Sequence, residues 1–267
     1  MEENKYISEI HKSDVYITEN DKKPLFGPTI NYLYNFSKII YRSYKYTTKG
    51  EYDRYKWVWS SYKIMKALEN ARVKISIKGI QNIRSLDDSA VFISNHMSAL
   101  ETVILPAIIQ PVRPVCFIMK KELVKFPFFG PVTAARHPIL VGRENPREDL
   151  KKVIQEGADR LNNNMSIIVF PQKTRSNYLE KSSFNTLGVK LAKKNNKYVV
   201  PVALVSDAWS NGKIIKDFGK IHPERQVYLE FGEPFKVEGN GAEEHKRVVE
   251  FISNRFIEWG REDFIRE

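Results

Sequence analysis

The chain is poor in the residues that build cross-links and metal knots. Among 267 residues there is one cysteine, Cys116, which excludes an intramolecular disulfide and is compatible with a reducing compartment. It lies within Val115-Cys116-Phe117-Ile118-Met119, an apolar setting in which a buried, inert thiol is expected. No Cys/His group has zinc-ligand spacing, so no metal or other cofactor is expected. No stretch approaches the roughly 18 consecutive apolar residues of a membrane-crossing helix. The start of the chain, with Glu2, Glu3 and Lys5, lacks the apolar centre of a signal peptide. There is no internal repeat.

What is present describes a folded protein. The hydrophobic fraction is 42% and the aromatic fraction 12%, and the length suits one elaborated domain with a sizeable core. Lys+Arg 43 against Asp+Glu 32 gives a net charge of +11, which favours anionic partners: nucleic acid or an anionic membrane. Charge alone does not choose between them.

Residues 1–24 are polar and mixed in charge, and read as a loosely held leader. From Pro24 to Leu68 the chain turns aromatic and basic, with Tyr32, Tyr34, Phe36, Tyr41, Tyr44, Trp57, Trp59 and Tyr62 among Lys38, Arg42, Lys45, Arg54 and Lys56. Two helices fit this stretch, about 27–45 and 52–70, broken at Thr47-Thr48-Lys49-Gly50. Such a pair fits a membrane surface, where Tyr and Trp favour the interface and Lys and Arg the headgroups. The alternative is a pair whose aromatics pack on the core while the lysines face water. Aromatics among lysines also suit single-stranded nucleic acid, but no nucleic-acid motif accompanies them, and no nucleic-acid partner is expected.

Beyond residue 72 short apolar runs alternate with helical segments. Strands are predicted at 73–77, 90–94, 115–119, 139–141, 166–170, 199–205 and 227–231. Helices are predicted at 98–109, 147–162, 186–194 and 243–259, with Leu150, Val153, Ile154, Ala158 and Leu161 forming one apolar stripe. This alternation predicts an α/β fold, a mixed central sheet flanked by helices, over residues 73–267. Residues 1–72 form the leader and the N-terminal membrane-associating helical pair.

Two segments carry chemistry. Asn95-His96-Met97-Ser98-Ala99-Leu100-Glu101 follows the strand at 90–94, and Phe170-Pro171-Gln172-Lys173-Thr174-Arg175-Ser176 follows the strand at 166–170. On a continuous helix, positions five apart are about 140° apart, so His96 and Glu101 meet only if His96 lies in the turn before the helix. In that arrangement the carboxylate orients the ring and leaves its other nitrogen as a base. A structural hydrogen bond at a strand end is the plainer reading of such a pair.

Asn95-His96-x4-Glu101 resembles the His-x4-Asp signature of the glycerolipid acyltransferases, the 1-acylglycerol-3-phosphate acyltransferase family. Further blocks follow in that family's order: Lys120-Lys121-Glu122-Leu123, Pro127-Phe128-Phe129-Gly130, Ile139-Leu140-Val141-Gly142-Arg143, the Phe170–Ser176 loop and Val199-Val200-Pro201-Val202-Ala203. Together they span about 75–235. The resemblance implies His96 as general base and Glu101 as its partner. It implies Lys120, Arg143 and Arg175 as phosphate-holding cations, with Gln172 and Thr174 lining the acceptor site. Arginine suits that task because its planar fork binds phosphate through two hydrogen bonds.

It further implies transfer of a fatty acyl group from a thioester, acyl-CoA or acyl carrier protein, to the hydroxyl of 1-acylglycerol-3-phosphate at the cytoplasmic face of a membrane. Glu101 stands where the family has Asp, Gln172 where it has Glu, and Lys173 where it has Gly. These departures keep open another lysolipid acceptor, or a non-catalytic lipid-binding relative.

Overall fold

The computed structural model describes residues 9–19, 27–142, 144–212 and 218–267. The chain opens with β1 (Val15–Ile17), α1 (Pro28–Thr48) and α2 (Arg54–Asn70), then β2 (Ile75–Lys78) and the short α3 (Ile80–Arg84). The middle runs β3 (Ala90–Ser94), α4 (Leu100–Ile109), β4 (Val115–Lys120), a 3-10 turn over Lys121–Lys125, α5 (Phe129–Ala134), β5 (Ile139–Val141), α6 (Pro146–Asn162) and β6 (Ser166–Val169). It continues through β7 (Leu179–Glu180), α7 (Leu187–Lys194), β8 (Tyr198–Val205), β9 (Val227–Phe231), α8 (Ala242–Glu258) and β10 (Ile265–Arg266).

Eight strands form one sheet in the order β1-β2-β9-β8-β3-β6-β4-β5. The run β8-β3-β6-β4-β5 is parallel throughout. β9 is antiparallel to β8 and parallel to β2. β3 reads Ala-Val-Phe-Ile-Ser with every residue buried, as a strand covered on both faces must be. α6, α7 and α8 pack against β3, β5, β6 and β8, while α2 packs on α4 and on α1. A parallel sheet brings all its carboxyl ends to one edge. That edge carries Ser206 after β8, Asn95-His96 after β3, Phe170 after β6, Lys120 at the end of β4 and Gly142 after β5.

Strands 90–94, 139–141 and 227–231 coincide with their predicted bounds, and α6 starts one residue early. Asn145 caps it through the amides of Arg147 and Glu148, with Pro146 in its first turn. Three expectations change. Residues 9–19 are no loose leader: β1 pairs antiparallel with β2, Ile10 and Tyr16 are buried, and Tyr16 donates to the buried carboxylate of Glu69 at 2.7 Å. Thr18 and Lys66 hold the same carboxylate at 2.8 and 2.7 Å. The polar composition concealed two apolar anchors and a buried acceptor. The remainder of the leader, 1–8 and 20–24, lies outside the described residues.

Leu150 is exposed, because only the Val153, Gly157 and Leu161 side of α6 faces the core. Much of the aromatic stretch is also interior. Trp57, Val58, Tyr62, Ile64, Met65 and Leu68 of α2 are buried, as are Tyr32 and Phe36 of α1. Tyr34 and Tyr41 remain outside, on an α1 stripe with Lys38 and Lys45. Among the described residues no helix is long and apolar enough to cross a membrane.

The docked arm is testable. Tyr16→Phe removes a hydroxyl donor from a buried carboxylate, and urea unfolding is expected to show a loss of about 1–3 kcal/mol with unchanged denaturant slope. An unchanged midpoint would mean that the arm is not held by Glu69.

Candidate active site

β3 ends at Ser94, and Asn95 ties that end to β8. Its amide donates to the Leu204 carbonyl (2.8 Å) while its oxygen accepts the Leu204 N–H (3.0 Å). This two-point clasp fixes the two strand ends that carry His96 and Ser206. His96 then occupies the turn before α4, as the pairing argument required, and its Nδ1 lies 2.8 Å from Glu101 Oε1. An ionised carboxylate only accepts, so Nδ1 carries the proton and Nε2 of the neutral ring is left as an acceptor. The imidazole is 19% exposed and the carboxylate fully buried.

Glu101 is crowded with donors. Oε1 accepts the Met97 and Ser98 amides at 2.7 and 2.9 Å. Oε2 lies 3.0 Å from Ser98 Oγ and accepts Ser206 Oγ at 2.5 Å. In return Ser98 Oγ accepts the Leu100 amide at 3.0 Å. Ser98 and Glu101 thus close the turn that enters α4, whose N-cap is Ala99: the serine hydroxyl accepts the Leu100 amide and the glutamate reaches back to the serine amide. Burial alone would raise the Glu101 pKa. The hydrogen bond and charge of His96, with Ser206 and a backbone amide, outweigh it and hold the group below its ordinary 4.5.

The His96 ring stacks on Phe170, with centroids 4.2 Å apart and planes at 15°, and Phe170 stacks in turn with Phe117. The loop after β6 is sewn to His96 through its backbone. The His96 amide donates to Gln172 Oε1 at 2.7 Å and the Ser176 amide to the His96 carbonyl at 2.9 Å. Gln172 Nε2 donates to the Tyr178 carbonyl at 3.2 Å. Glutamine uses both ends of its amide here; a carboxylate could not make the second bond. Sequence placed Gln172 on the substrate, whereas its amide is occupied in shaping the loop. Arg175 is half-buried and Thr174 exposed on that loop.

Lys120 is exposed at the end of β4. β4 lies two strands from β3, roughly 10 Å at sheet spacing. Arg143 lies outside the described residues. Its neighbour Gly142 donates to Asp149 at 2.8 Å, and Lys121 pairs with Glu144 at 2.9 Å. Sequence reasoning missed Ser98, Phe170 and Ser206. The Ser-x-x-Glu spacing was a readable signal for Ser98. Ser206 had none.

Comparison with known proteins places the chain among its relatives. A family model described as Acyltransferase matches residues 74–205. The chain is 28% identical over 213 residues to the 1-acyl-sn-glycerol-3-phosphate acyltransferase of Pseudomonas aeruginosa, covering 77% of this chain and 79% of that protein. Residues 74–205 belong to the Acyltransferase family.

This acyltransferase is also 30% identical over 129 residues to the 1-acyl-sn-glycerol-3-phosphate acyltransferase of Helicobacter pylori, covering 48% of this chain and 53% of that one. The crystal structure of the 1-acyl-sn-glycerophosphate acyltransferase PlsC from Thermotoga maritima has the same fold. Its TM-score is 0.64 at 20% identity, covering 87% of this chain and 95% of that one.

The lowered Glu101 pKa makes a pH prediction. Stability from a depressed carboxyl is complete above its unfolded pKa and is lost as pH falls through the folded value. Wild type is expected to exceed Glu101→Gln in unfolding free energy at pH 7, with the gap closing as pH falls from about 5 through the acid range. A gap independent of pH would refute the ionised, hydrogen-bonded carboxylate.

Proposed function

We propose that the enzyme transfers a fatty acyl group from an acyl thioester, of coenzyme A or acyl carrier protein, to the free hydroxyl of 1-acylglycerol-3-phosphate. The observation that carries this is the His96–Glu101 pair, with Nδ1 bound to a buried carboxylate and Nε2 left as base. Nε2 takes the acceptor's hydroxyl proton as that oxygen attacks the thioester carbonyl. The tetrahedral intermediate then collapses, the carbon–sulfur bond breaks, and the imidazolium returns its proton to the thiolate. No acyl-enzyme is required, because the acceptor is the nucleophile. Glu101 stabilises the imidazolium formed on the way.

The phosphate is assigned to Arg175, Lys120 and Arg143, with Thr174 beside Arg175. Lys120, Thr174 and Arg175 come from loops or strand ends on the edge that carries His96, Arg143 is assigned from the sequence alone, and the names of the relatives favour a glycerol phosphate acceptor. The chain works without a metal or other cofactor. The proposed catalytic pair lies within residues 73–267, β1 and α2 belong to the same core, and the exposed side of α1 is read as facing the cytoplasmic leaflet of the bilayer.

An exposed aromatic patch supports the membrane reading. Phe126 and Phe128 are 49% and 53% exposed in the turn after β4. Phe128 meets Tyr41 and Tyr44 of α1 edge-on, at 6.2 and 5.2 Å. Its φ of 60° costs a bulky residue about 1–3 kcal/mol. The next turn is rigid, since a Cβ on Gly130 would lie 2.2 Å from the Val124 carbonyl oxygen. Lys38, Lys45 and Lys125 are exposed on the same two segments. Strained, outward aromatics beside lysines suit insertion among anionic headgroups.

Two measurements check these assignments. Thiol release from an acyl-CoA is expected on adding 1-acylglycerol-3-phosphate, falling at least about 100-fold in His96→Ala. Release independent of His96 would sink the mechanism, and release with another lysolipid alone would reassign the acceptor. For the patch, Phe126→Ser/Phe128→Ser is expected to weaken binding to phosphatidylglycerol vesicles at least tenfold, while turnover of detergent-dispersed substrate persists. Undiminished binding would place the membrane surface elsewhere.

A further inference from the structure

Glutamate at position 101 poses a geometric problem that the surrounding protons resolve. It has one more rotatable bond than aspartate, so pairing Oε1 with His96 does not by itself fix the carboxylate plane. That plane depends also on what holds Oε2: the Ser98 amide at 3.2 Å and two hydroxyls, Ser98 Oγ at 3.0 Å and Ser206 Oγ at 2.5 Å. Each hydroxyl has one proton to give. Ser98 Oγ also lies 3.1 Å from the Ser206 carbonyl and 3.0 Å from Ser206 Oγ, so three acceptors compete for its proton. Ser206 is the hydroxyl closest to Oε2, and the Ser98 hydroxyl lies within reach to donate to it in turn.

The backbone that presents Ser206 is anchored on both sides. Upstream, Asn95 clasps Leu204. Downstream, buried Asp207 receives Arg261 Nη2 on both carboxylate oxygens at 3.0 and 3.1 Å. Arg225 donates to the Asp207 carbonyl at 3.2 Å and lies 3.5 Å from its carboxylate. Two arginines are thus committed to the residue next to Ser206. Ser206 itself is buried and lies 105 positions from Glu101 along the chain.

We propose that Ser206 is a positioning residue for the His96–Glu101 pair, holding Oε2 so that the longer glutamate presents Oε1 to Nδ1. Asp207, Arg225 and Arg261 hold Ser206 in place. The assignment deepens the proposed acyl transfer and rests on that reading for its kinetic arm alone.

The experiment is a double-mutant cycle with a spectroscopic arm. Ser206→Ala is expected to lower kcat about 10- to 100-fold, the scale of one hydrogen bond to a charged group, with the acceptor KM changed less than about threefold. In a Glu101→Asp background the shorter carboxylate withdraws from Ser206, and Ser206→Ala is expected to cost less than about threefold. A simple packing role would cost the same in both backgrounds. Ser206→Cys keeps the volume with a weaker donor and is expected to fall between; it replaces Ser206→Ala if the latter fails to fold.

By proton NMR, the wild type should show a far-downfield His96 Nδ1–H signal, absent from His96→Ala and moved or broadened in Ser206→Ala. This readout needs no substrate, so it stands even if no lysolipid is acylated. Wild-type kcat in Ser206→Ala, equal losses in the two backgrounds, or an unmoved downfield proton would each overturn the proposal.

Discussion

One buried carboxylate organises this protein. Glu101 lies out of contact with solvent yet ionised, because the imidazole, two amides and two hydroxyls converge on its two oxygens. A charge in that position is tolerable only when its lone pairs are filled, and filling them recruits three regions of chain. The turn after β3 supplies the imidazole and the amides, α4 the carboxylate, and the end of β8 the distal hydroxyl. The same side chain closes the turn that enters α4 through the Ser98 amide, so the local structure and the proposed chemistry rest on one group.

The loop after β6 shows a second economy. Gln172 and Ser176 grip the His96 backbone from both sides, so a shift of the loop bearing Arg175 is a shift of the base. Phe170 presses on the flat of the imidazole and limits its rotation. The loop that bears Arg175 and the orientation of the His96 ring are mechanically one unit, with few independent motions between them.

Much of this was legible in the chain. The run Ala90–Ser94 marked a strand because burial on both faces leaves little polar interruption, and Val227–Phe231 marked one by alternation, with Val227, Leu229 and Phe231 buried and Tyr228 and Glu230 half-buried. The His96–Glu101 pair was legible because its geometry is local to one strand–turn–helix unit. The leader was misread because its few anchoring residues, Ile10 and Tyr16, are diluted among charges, and the partner that secures them, Glu69, sits on another helix. Strand order could not be read at all, since parallel neighbours are joined by long crossovers. Ser206 was invisible for the same reason: a serine after a valine run has no signature until β8 is placed beside β3.

The sheet order carries a consequence for how the molecule comes into being. β3 is emitted early, but its two neighbours arrive much later: the Gln172 latch is 76 positions beyond His96, and Ser206 is 105 beyond Glu101. Contacts of such long sequence separation form slowly and late. On the ribosome, the imidazole and its acid are made well before the strands that enclose them, and the Arg261 anchor follows Asp207 by a further 54 positions. A nascent chain therefore holds the pair open and unsealed until β6, β8 and that anchor have been made. The enclosure of the pair waits on chain made long after the pair itself.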